Sequence, residues 1–350
     1  MASTPLGIHT KHEILSQPVV WEKTLQSLRT LDKSRYPNIA DYDQVIFTGC
    51  GSTHYLSQWA ARACEQETGI TSRAVPAADL LLFPDAWLQK DKKNLLIAVS
   101  RSAATTETIL ALKNFQSGRY GETITVTCYP DRELAQLAQN VIAVPDAQEK
   151  SVAQTRSFSN MMLAVCWLVT KQVPEGFPTL FAKAGDGLFD HHTRIAEELG
   201  RDQSIQRFFF LGSGALYGLA NEAMLKMKEM SLSYSESFHT LEFRHGPMSM
   251  ANPESLIIAL LGETARDHQY GVLRDMQSKG ARTLGILDNV DSKTGSALNN
   301  QVLLRSEMPE LWRAPLYLPI LQLIAYERAI SKGLDPDNPN NLTAVVVLHE

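Results

Sequence analysis

Three ionisable side chains recur along one predicted helix in the second half of the chain. Glu222, Lys226 and Glu229 are spaced i, i+4 and i+7, which places them on one helical face. Beyond that helix, His245 lies in an Arg-His-Gly-Pro turn. Carboxylates, amines and imidazoles are the groups that carry protons in general acid–base catalysis. A plainer interpretation fits the same residues: a solvated Glu/Lys helix face and an ordinary turn.

The element that positions these side chains begins with a strand and a glycine turn. An apolar run at residues 208–211 predicts a buried strand, and Gly212-Ser213-Gly214 follows as a turn. Helix-forming residues then continue to about Met230. A turn of this kind can bind an anion, because the free N–H groups and the dipole of the helix point at it.

Hydroxyl side chains gather where another apolar run, residues 95–99, ends and a helix is predicted to begin. In open α/β sheets ligands bind at the carboxyl ends of strands, where hydroxyls and helix-terminal N–H groups can hold a phosphate. The alternative is simple N-capping by Ser or Thr. The hydroxyl residues of this cluster are Ser100, Ser102, Thr105 and Thr106, and Thr53 in an earlier glycine turn could add another.

The chain contains an internal repeat. Gly49-Cys50-Gly51 after one strand corresponds to Gly212-Ser213-Gly214 after another, and three further strand-like runs of each half follow in the same order at nearly constant spacing. Strands alternate with helices in both halves, which predicts parallel sheets covered on both faces. The fold class is therefore α/β, with two flavodoxin-like three-layer domains in tandem, joined near residues 173–187.

We expect four regions along the chain. Residues 1–40 form a helical lead-in, residues 41–175 the first domain, residues 195–335 the second, and residues 336–350 a polar tail.

Composition narrows the class of protein. The chain has 350 residues, of which 44% are hydrophobic and 20% charged, as in globular proteins. A net charge of −5 gives no electrostatic reason to bind nucleic acid or a membrane. The four cysteines are scattered, without metal-ligand spacing. The N-terminal residues contain no apolar segment of the kind found in signal peptides, and the longest apolar run, residues 161–169, is too short to span a bilayer. We expect a cytoplasmic protein without metal or organic cofactor.

The sequence lacks four common motifs for nucleotide binding and for hydrolysis. Neither glycine turn continues as GxGxxG, and the chain has no Walker lysine, HExxH or GxSxG. Dinucleotide binding, nucleotide hydrolysis, zinc peptidase and serine hydrolase activities are therefore not expected.

Several stretches together resemble the sugar isomerase (SIS) domain family, as found in the isomerase half of glucosamine-6-phosphate synthases. The resemblance covers nearly the whole chain, and a pair of SIS domains would produce the repeat. The stretches are EILSQP at 13–18, GCGST at 49–53, SRSAATTET at 100–108, SVAQTRSF at 151–158, LGSGALYGLANEAMLKMKEMS at 211–231, EFRHGP at 242–247 and AYERAISKGLDPDNPNNL at 325–342.

The resemblance implies where a sugar phosphate binds. Arg101 stands where glutamine is common in the family, so it could add charge at the phosphate. Gln154 replaces a small serine, and Glu149 matches a position near the sugar. The phosphate residues implied are Thr53, Ser100, Arg101, Ser102 and Thr105, and the residues lining the sugar are Val152 and Gln154.

The resemblance also implies the catalytic roles. Glu229 matches the carboxylate that moves a proton between C1 and C2, and His245 matches the imidazole that opens the sugar ring. In relatives that histidine comes from the neighbouring subunit, which implies a homodimer. Glu222 and Lys226 match supporting polar residues.

Two departures from the synthases shape the expected reaction. The chain has no glutaminase domain and no cysteine after Met1, and Ala344 stands where a tail lysine forms a Schiff base with the ketose. A substrate that carries its own nitrogen needs no such lysine. We therefore expect a deaminase, deglycase or isomerase of a 6-phosphorylated amino sugar or sugar–amine adduct. A plain aldose–ketose phosphate isomerase and a non-catalytic sugar-phosphate sensor remain as alternatives.

Overall fold

Ten strands form two five-stranded parallel sheets in a computed structural model that describes residues 5–290, 298 and 300–346. The described chain divides into two units, each with one sheet. The N-sheet unit comprises Val19–Glu149, Arg156–Thr179 and the chain from Thr343. The C-sheet unit comprises the chain up to Pro18, Lys150–Thr155 and Leu180–Leu342.

The N-sheet unit has the strand order β2-β1-β3-β4-β5, which is the flavodoxin-like order. Its strands are β1 (Gln44–Gly49), β2 (Ser72–Pro76), β3 (Asn94–Val99), β4 (Gly121–Thr127) and β5 (Asn140–Ala143). Its helices are α2 (Gln17–Arg29), α3 (Ser52–Thr68), α4 (Ala77–Leu82), α5 (Pro84–Trp87), α6 (Thr106–Ser117), α7 (Glu133–Leu137) and α8 (Arg156–Thr170).

The C-sheet unit repeats this order as β7-β6-β8-β9-β10. Its strands are β6 (Arg207–Gly212), β7 (Tyr234–His239), β8 (Ser255–Leu260), β9 (Arg282–Leu287) and β10 (Gln301–Leu303). Its helices are α1 (Ile8–Leu15), α9 (Phe177–Arg201), which starts just before the unit boundary, α10 (Leu216–Ser231), α11 (Arg266–Ser278), α12 (Glu310–Arg313) and α13 (Leu318–Ser331).

The central strands are apolar along their whole length because helices flank the sheets. Every residue of β3 and of β8 is buried. A strand buried on both faces loses the in–out alternation of a half-exposed strand, and its sequence becomes a continuous apolar run. Phe115 of α6 and Tyr270 of α11 are each about 1% exposed and pack into the cores of their own units. The predicted fold class and the repeat are confirmed.

The structure adds one strand that the sequence analysis missed. β7, with the sequence YSESFH, is the edge strand of its sheet and pairs with β6 alone among the described residues. Its polar residues Ser235, Glu236 and Ser237 give it no apolar run, although it is the repeat counterpart of β2.

The segment predicted as a joint is largely helical. α9 starts at Phe177, and Pro178 lies in its first turn, where a missing N–H costs no hydrogen bond. The division between the units after Thr179 lies inside the predicted segment 173–187. The predicted domain boundaries stay a prediction, and their first four and last four residues lie outside the described chain.

Residues 8–29 form two helices separated by Ser16. α1 ends at Leu15, and α2 begins at Gln17 with Pro18 in its first turn. The predicted tail fixes the start of α1 within the C-sheet unit. Asp337 accepts hydrogen bonds from the backbone N–H of His9 (3.0 Å) and of Thr10 (2.6 Å), so a carboxylate serves the unpaired N–H groups of the first helical turn.

Candidate active site

The turn before α10 brings the start of this helix against the end of β6. A Cβ at Gly212 would lie 2.4 Å from the carbonyl oxygen of Leu216, so only glycine fits there. Gly214 has φ of 58°, a left-handed conformation that glycine adopts without strain. The two glycines found in the sequence therefore serve a tight strand-to-helix turn.

Glu222, Lys226 and Glu229 are in direct contact on α10. Nζ of Lys226 lies 3.3 Å from Oε1 of Glu222 and makes a close ion pair with Oε2 of Glu229. The side chains of Lys226 and Glu222 are only 1% and 0% exposed, whereas that of Glu229 is 20% exposed. These residues do not form a solvated helix face, because two of the three are sealed from water.

The charge of Lys226 is held by its neighbours. Burial by itself lowers the pKa of this amine, but the carboxylates of Glu222 and Glu229 together raise the pKa above its ordinary value. Lys226 is therefore a cation throughout the physiological range. A cation in contact with the one partly exposed carboxylate fixes the position of Glu229.

His245 lies on an exposed loop of the same unit. It follows the short 3-10 helix Glu242–Arg244, and its backbone N–H donates to the carbonyl oxygen of Glu242 (2.9 Å). The preceding Arg244 forms an ion pair with Asp275 (2.6 Å), which ties the loop to α11. The structure thus leaves the His245 side chain at the surface of this chain.

In the N-sheet unit, the hydroxyl cluster forms the loop between β3 and α6. Oγ of Ser100 accepts the backbone N–H of Ala103 (3.1 Å), and Oγ of Ser102 accepts that of Ala104 (3.2 Å). Ala103 has a positive φ of 49°, so the loop makes a sharp turn. Thr105 is the N-cap residue of α6, but its side chain makes no capping hydrogen bond. N-capping therefore does not account for Thr105.

Thr53 lies in the first turn of α3, beside the end of β3. A Cβ at Gly49 would lie 2.6 Å from Oγ1 of Thr53 and 2.8 Å from the carbonyl oxygen of Val99. The Thr53 hydroxyl donates to the carbonyl oxygen of Cys50 (2.9 Å) and accepts the Cys50 N–H (3.0 Å). Its proton is thus used within the glycine turn.

Arg101 is paired with Glu149. The guanidinium lies 3.3 Å from Oε2 of Glu149, and the two side chains are 8% and 0% exposed. Glu149 also accepts the backbone N–H of Ser157 (3.1 Å) and a close hydrogen bond from its hydroxyl. The positive charge foreseen for the phosphate loop is therefore shared with a buried carboxylate.

Val152 and Gln154 lie in the segment Lys150–Thr155, which belongs to the C-sheet unit. Both are partly exposed, and Oε1 of Gln154 is buried without a hydrogen-bond partner among the described residues. The segment is held by Glu13, to which the sequence analysis gave no role. Glu13 is the first residue of the family-like stretch EILSQP, but the sequence does not indicate this contact, since a glutamate on a polar-faced helix is usually solvated.

The predicted residues are therefore distributed over both units. The C-sheet unit holds Glu222, Lys226, Glu229, His245, Val152 and Gln154, and the N-sheet unit holds Thr53, Ser100, Arg101, Ser102 and Thr105. Within the described ranges, no group of three or more His, Cys, Asp or Glu side chains could hold a metal ion. No helix described here is long and apolar enough to span a membrane.

The sequence matches the SIS domain family over residues 38–171 and again over residues 203–332. The chain belongs to the SIS domain family. The two matched regions contain the two parallel sheets, so the internal repeat is a pair of SIS domains.

Relatives with a named activity act on sugar phosphates. A Streptomyces coelicolor protein, provisionally named a D-galactosamine-6-phosphate deaminase, is 28% identical over 98% of this SIS chain and 96% of its own length. This chain spans only 52% to 59% of the length of the glutamine–fructose-6-phosphate aminotransferases that it matches. The prediction of an enzyme agrees with these relatives.

Two solved structures share the fold of this SIS chain. Glucosamine-6-phosphate deaminase from Thermotoga maritima has a TM-score of 0.80 and 26% identity, covering 97% of this chain and all of its own. Tagatose-6-phosphate ketose/aldose isomerase from Escherichia coli has a TM-score of 0.85 and 23% identity, covering 99% of both chains.

Proposed function

We propose that this SIS protein is an enzyme that acts on a 6-phosphorylated amino sugar or sugar–amine adduct by moving a proton between C1 and C2. The observation that carries the proposal is the contact between Lys226 and Glu229. A buried cation holds a carboxylate that keeps 20% of its side chain exposed, which suits a base that must reach a substrate. The deaminases among its relatives support an amino sugar phosphate as substrate.

The phosphate group is assigned to the N-sheet unit. Ser100 and Ser102 each accept a loop N–H, so their own hydroxyl protons are directed to other acceptors. Thr105 adds a hydroxyl at the N-terminus of α6, where the helix dipole favours an anion. In this assignment Thr53 shapes the neighbouring turn, and Arg101, paired with Glu149, contributes a partly compensated positive charge.

Proton transfer is assigned to Glu229 and ring opening to His245. The imidazole transfers the proton that converts the cyclic sugar to its open-chain aldehyde. Glu229 then removes the proton from C2 of the 2-amino aldose and returns it to C1, which gives a ketimine at C2. Water adds to that carbon and ammonia leaves, so amino sugar phosphate plus water becomes ketose phosphate plus ammonia. No oxidant or reductant is needed.

A substrate that carries its own nitrogen is consistent with alanine, rather than lysine, at position 344. Ala344 cannot form an imine with a ketose, so a reaction that requires an imine must find its nitrogen in the substrate. An amino sugar phosphate or a sugar–amine adduct supplies this nitrogen. We therefore place deamination or deglycation ahead of plain aldose–ketose isomerisation.

The exposed position of His245 supports a homodimer in which this residue serves the neighbouring subunit's site. The four cysteines form no disulfide bond, which supports the cytoplasm as the compartment.

Turnover of a substrate panel tests the proposal. The panel contains the 6-phosphates of galactosamine, glucosamine, fructosamine, tagatose and fructose, and released ammonia or amine and new ketose are measured for each. Wild type is compared with Glu229→Gln, and Glu254→Gln, an exposed glutamate, is the control. General acid–base catalysis contributes about 10²- to 10⁴-fold, so Glu229→Gln should lose activity by that factor while the control keeps it.

Three outcomes would contradict the proposal. Equal turnover by wild type and Glu229→Gln would remove the assigned base. Turnover of the nitrogen-free sugars alone would favour a plain isomerase. Binding of sugar phosphates, seen as a thermal shift, without turnover of any of them would favour a sensor.

A further inference from the structure

The segment Lys150–Thr155 belongs to a different unit from the residues that precede and follow it in the chain. Glu149 and Arg156, on either side of it, belong to the N-sheet unit, whereas the six residues between them belong to the C-sheet unit. Such a segment keeps its position only if contacts within the C-sheet unit hold its backbone. The main contacts come from α1, near the N-terminus of the chain.

Glu13 on α1 provides the main anchor. Glu13 is only 2% exposed, and its carboxylate accepts the backbone N–H of Lys150 (2.6 Å). The backbone N–H of Ser151 lies 3.4 Å from each carboxylate oxygen, and the Ser151 hydroxyl donates to Oε2 in a close hydrogen bond. Hydrogen bonds to an ionised acceptor are about twice as strong as neutral ones.

Two weaker contacts hold the rest of the segment. The backbone N–H of Val152 donates to the carbonyl oxygen of Asp337 (3.1 Å). At the far end, Nε2 of Gln322 donates to the carbonyl oxygen of Thr155 (3.3 Å), and Oε1 of Gln322 accepts from Gln17 (2.9 Å). Of these three anchors, the one at Glu13 uses a carboxylate, and it acts on the two residues directly before Val152.

What the segment presents is a polar atom with no partner. The amide oxygen of Gln154 is buried and accepts no hydrogen bond from any described residue. A buried acceptor without a donor costs about 1–3 kcal/mol. A substrate hydroxyl or amino group would satisfy this oxygen, provided that the backbone of the segment stays in place.

We propose that Glu13 is a positioning residue for the sugar: its buried carboxylate fixes the backbone of residues 150–155 and thereby places Val152 and Gln154 against the substrate. The inference rests on the proposed function, because the sugar-lining role of Val152 and Gln154 belongs to it. Glu13 itself touches the segment and not the reacting atoms.

The decisive variant is Glu13→Gln, which keeps the shape of the side chain and loses its charge and one acceptor oxygen. Its amide NH₂ would face the N–H groups of Lys150 and Ser151. Ser151→Ala is the milder second variant, since it removes only the hydroxyl donor. Glu22→Gln is the matched control, because among the described residues the Glu22 carboxylate accepts only a long hydrogen bond from Gln26 (3.4 Å) within α2.

Steady-state kinetics on the amino sugar phosphate that wild type turns over separate positioning from folding. For Glu13→Gln we expect KM to rise about tenfold, the equivalent of one lost charged hydrogen bond, with kcat changed much less. Ser151→Ala should raise KM by a smaller factor, and Glu22→Gln should leave KM unchanged. A lower melting temperature with an unchanged KM in both Glu13→Gln and Ser151→Ala would show a purely structural role and overturn the proposal.

Hydrogen exchange distinguishes a failure of this inference from a failure of the proposed function. In Glu13→Gln the amides of Lys150 and Ser151 should exchange faster than in wild type and in Glu22→Gln. Unchanged exchange at these amides would overturn the anchoring role whatever the substrate is. If these amides exchange faster in Glu13→Gln but wild type turns over no panel sugar, then Glu13 anchors the segment but the proposed role in sugar binding is wrong.

Discussion

Nζ of Lys226 lies 3.3 Å from Oε1 of Glu222, and neither side chain is more than 1% exposed. The same ammonium contacts Glu229, the only member of the group with appreciable solvent exposure. A buried ion pair of this kind is costly to form and even more costly to break from one side. Because Lys226 also contacts the proposed base, we infer that this buried ion pair holds the Glu229 carboxylate in position.

Replacing Lys226 with methionine should destabilise the protein strongly. The substitution keeps the apolar stem but leaves the buried Glu222 carboxylate without its cation, which costs about 3–5 kcal/mol. The midpoint of urea unfolding measures the loss. Lys228→Met is the control, because Lys228 is exposed on the same helix and should change stability very little. Equal midpoints for the two variants would mean that the pair is not important for stability.

The assignment of His245 to the neighbouring subunit's site can be tested by mixing two inactive variants. Glu229→Gln and His245→Asn are each expected to be inactive as homodimers. If the histidine acts across the interface, one of the two sites of a mixed dimer has both native residues. After subunit exchange at equal concentrations, about a quarter of wild-type activity should return. No recovery, in a mixture shown by mass spectrometry to contain heterodimers, would place both residues in one subunit.

The loop after β3 should control the affinity for the phosphate group. Ser102→Ala removes one hydroxyl donor, and a hydrogen bond to a charged group contributes about 1.5–3 kcal/mol, so the Kd for the sugar phosphate should rise at least about tenfold. Titration calorimetry with the 6-phosphate sugar measures this change. Ser117→Ala is the control, because Ser117 is exposed at the C-terminal end of α6, the helix that follows this loop, and this variant should bind like wild type. An unaltered Kd for Ser102→Ala would move the phosphate elsewhere.

His192 should make the stability of the C-sheet unit sensitive to mild acid. Its Nε2 accepts the backbone N–H of Leu303 in β10 (3.2 Å), so it must be unprotonated there. Burial lowers its pKa below the usual 6.5, and nearby His191 and Arg305 act in the same direction. The unfolded chain therefore binds a proton before the folded one does, and this stability is present above about pH 6.5 and lost as the pH falls.

The variant His192→Gln keeps an acceptor but does not titrate. Between about pH 7 and pH 5 its melting temperature should fall less than that of wild type. His268→Gln is the control, because His268 is exposed on α11 of the same unit, and it should follow wild type. Parallel curves for wild type and His192→Gln would show that the imidazole does not contribute.

The fold was largely predictable because its signals are local. The apolar runs that became β1, β3, β6 and β8 are continuous, since each strand is covered on both faces, and the repeat tied the two halves together. β7 was missed because an edge strand needs no apolar run. α9 was missed because Pro178 and three glycines obscured a helix whose stability comes from tertiary packing.

The candidate site was predictable only in part. Residues on one helix or one loop, such as Glu229 or Ser102, could be singled out by spacing. Glu13 could not, because its partners Lys150 and Ser151 are far away in sequence. The pairing of Arg101 with Glu149 is hidden for the same reason.

By itself, the sequence determined the α/β class, the duplication and the spacing of Glu222, Lys226 and Glu229, because periodicity and turn chemistry act over a few residues. Only the tertiary structure decided that Lys226 is buried and that Glu229 keeps some exposure. It also decided that Glu13 holds residues 150–155. Burial and charge pairing depend on which distant segments pack together, and a pattern of neighbouring residues does not contain that information.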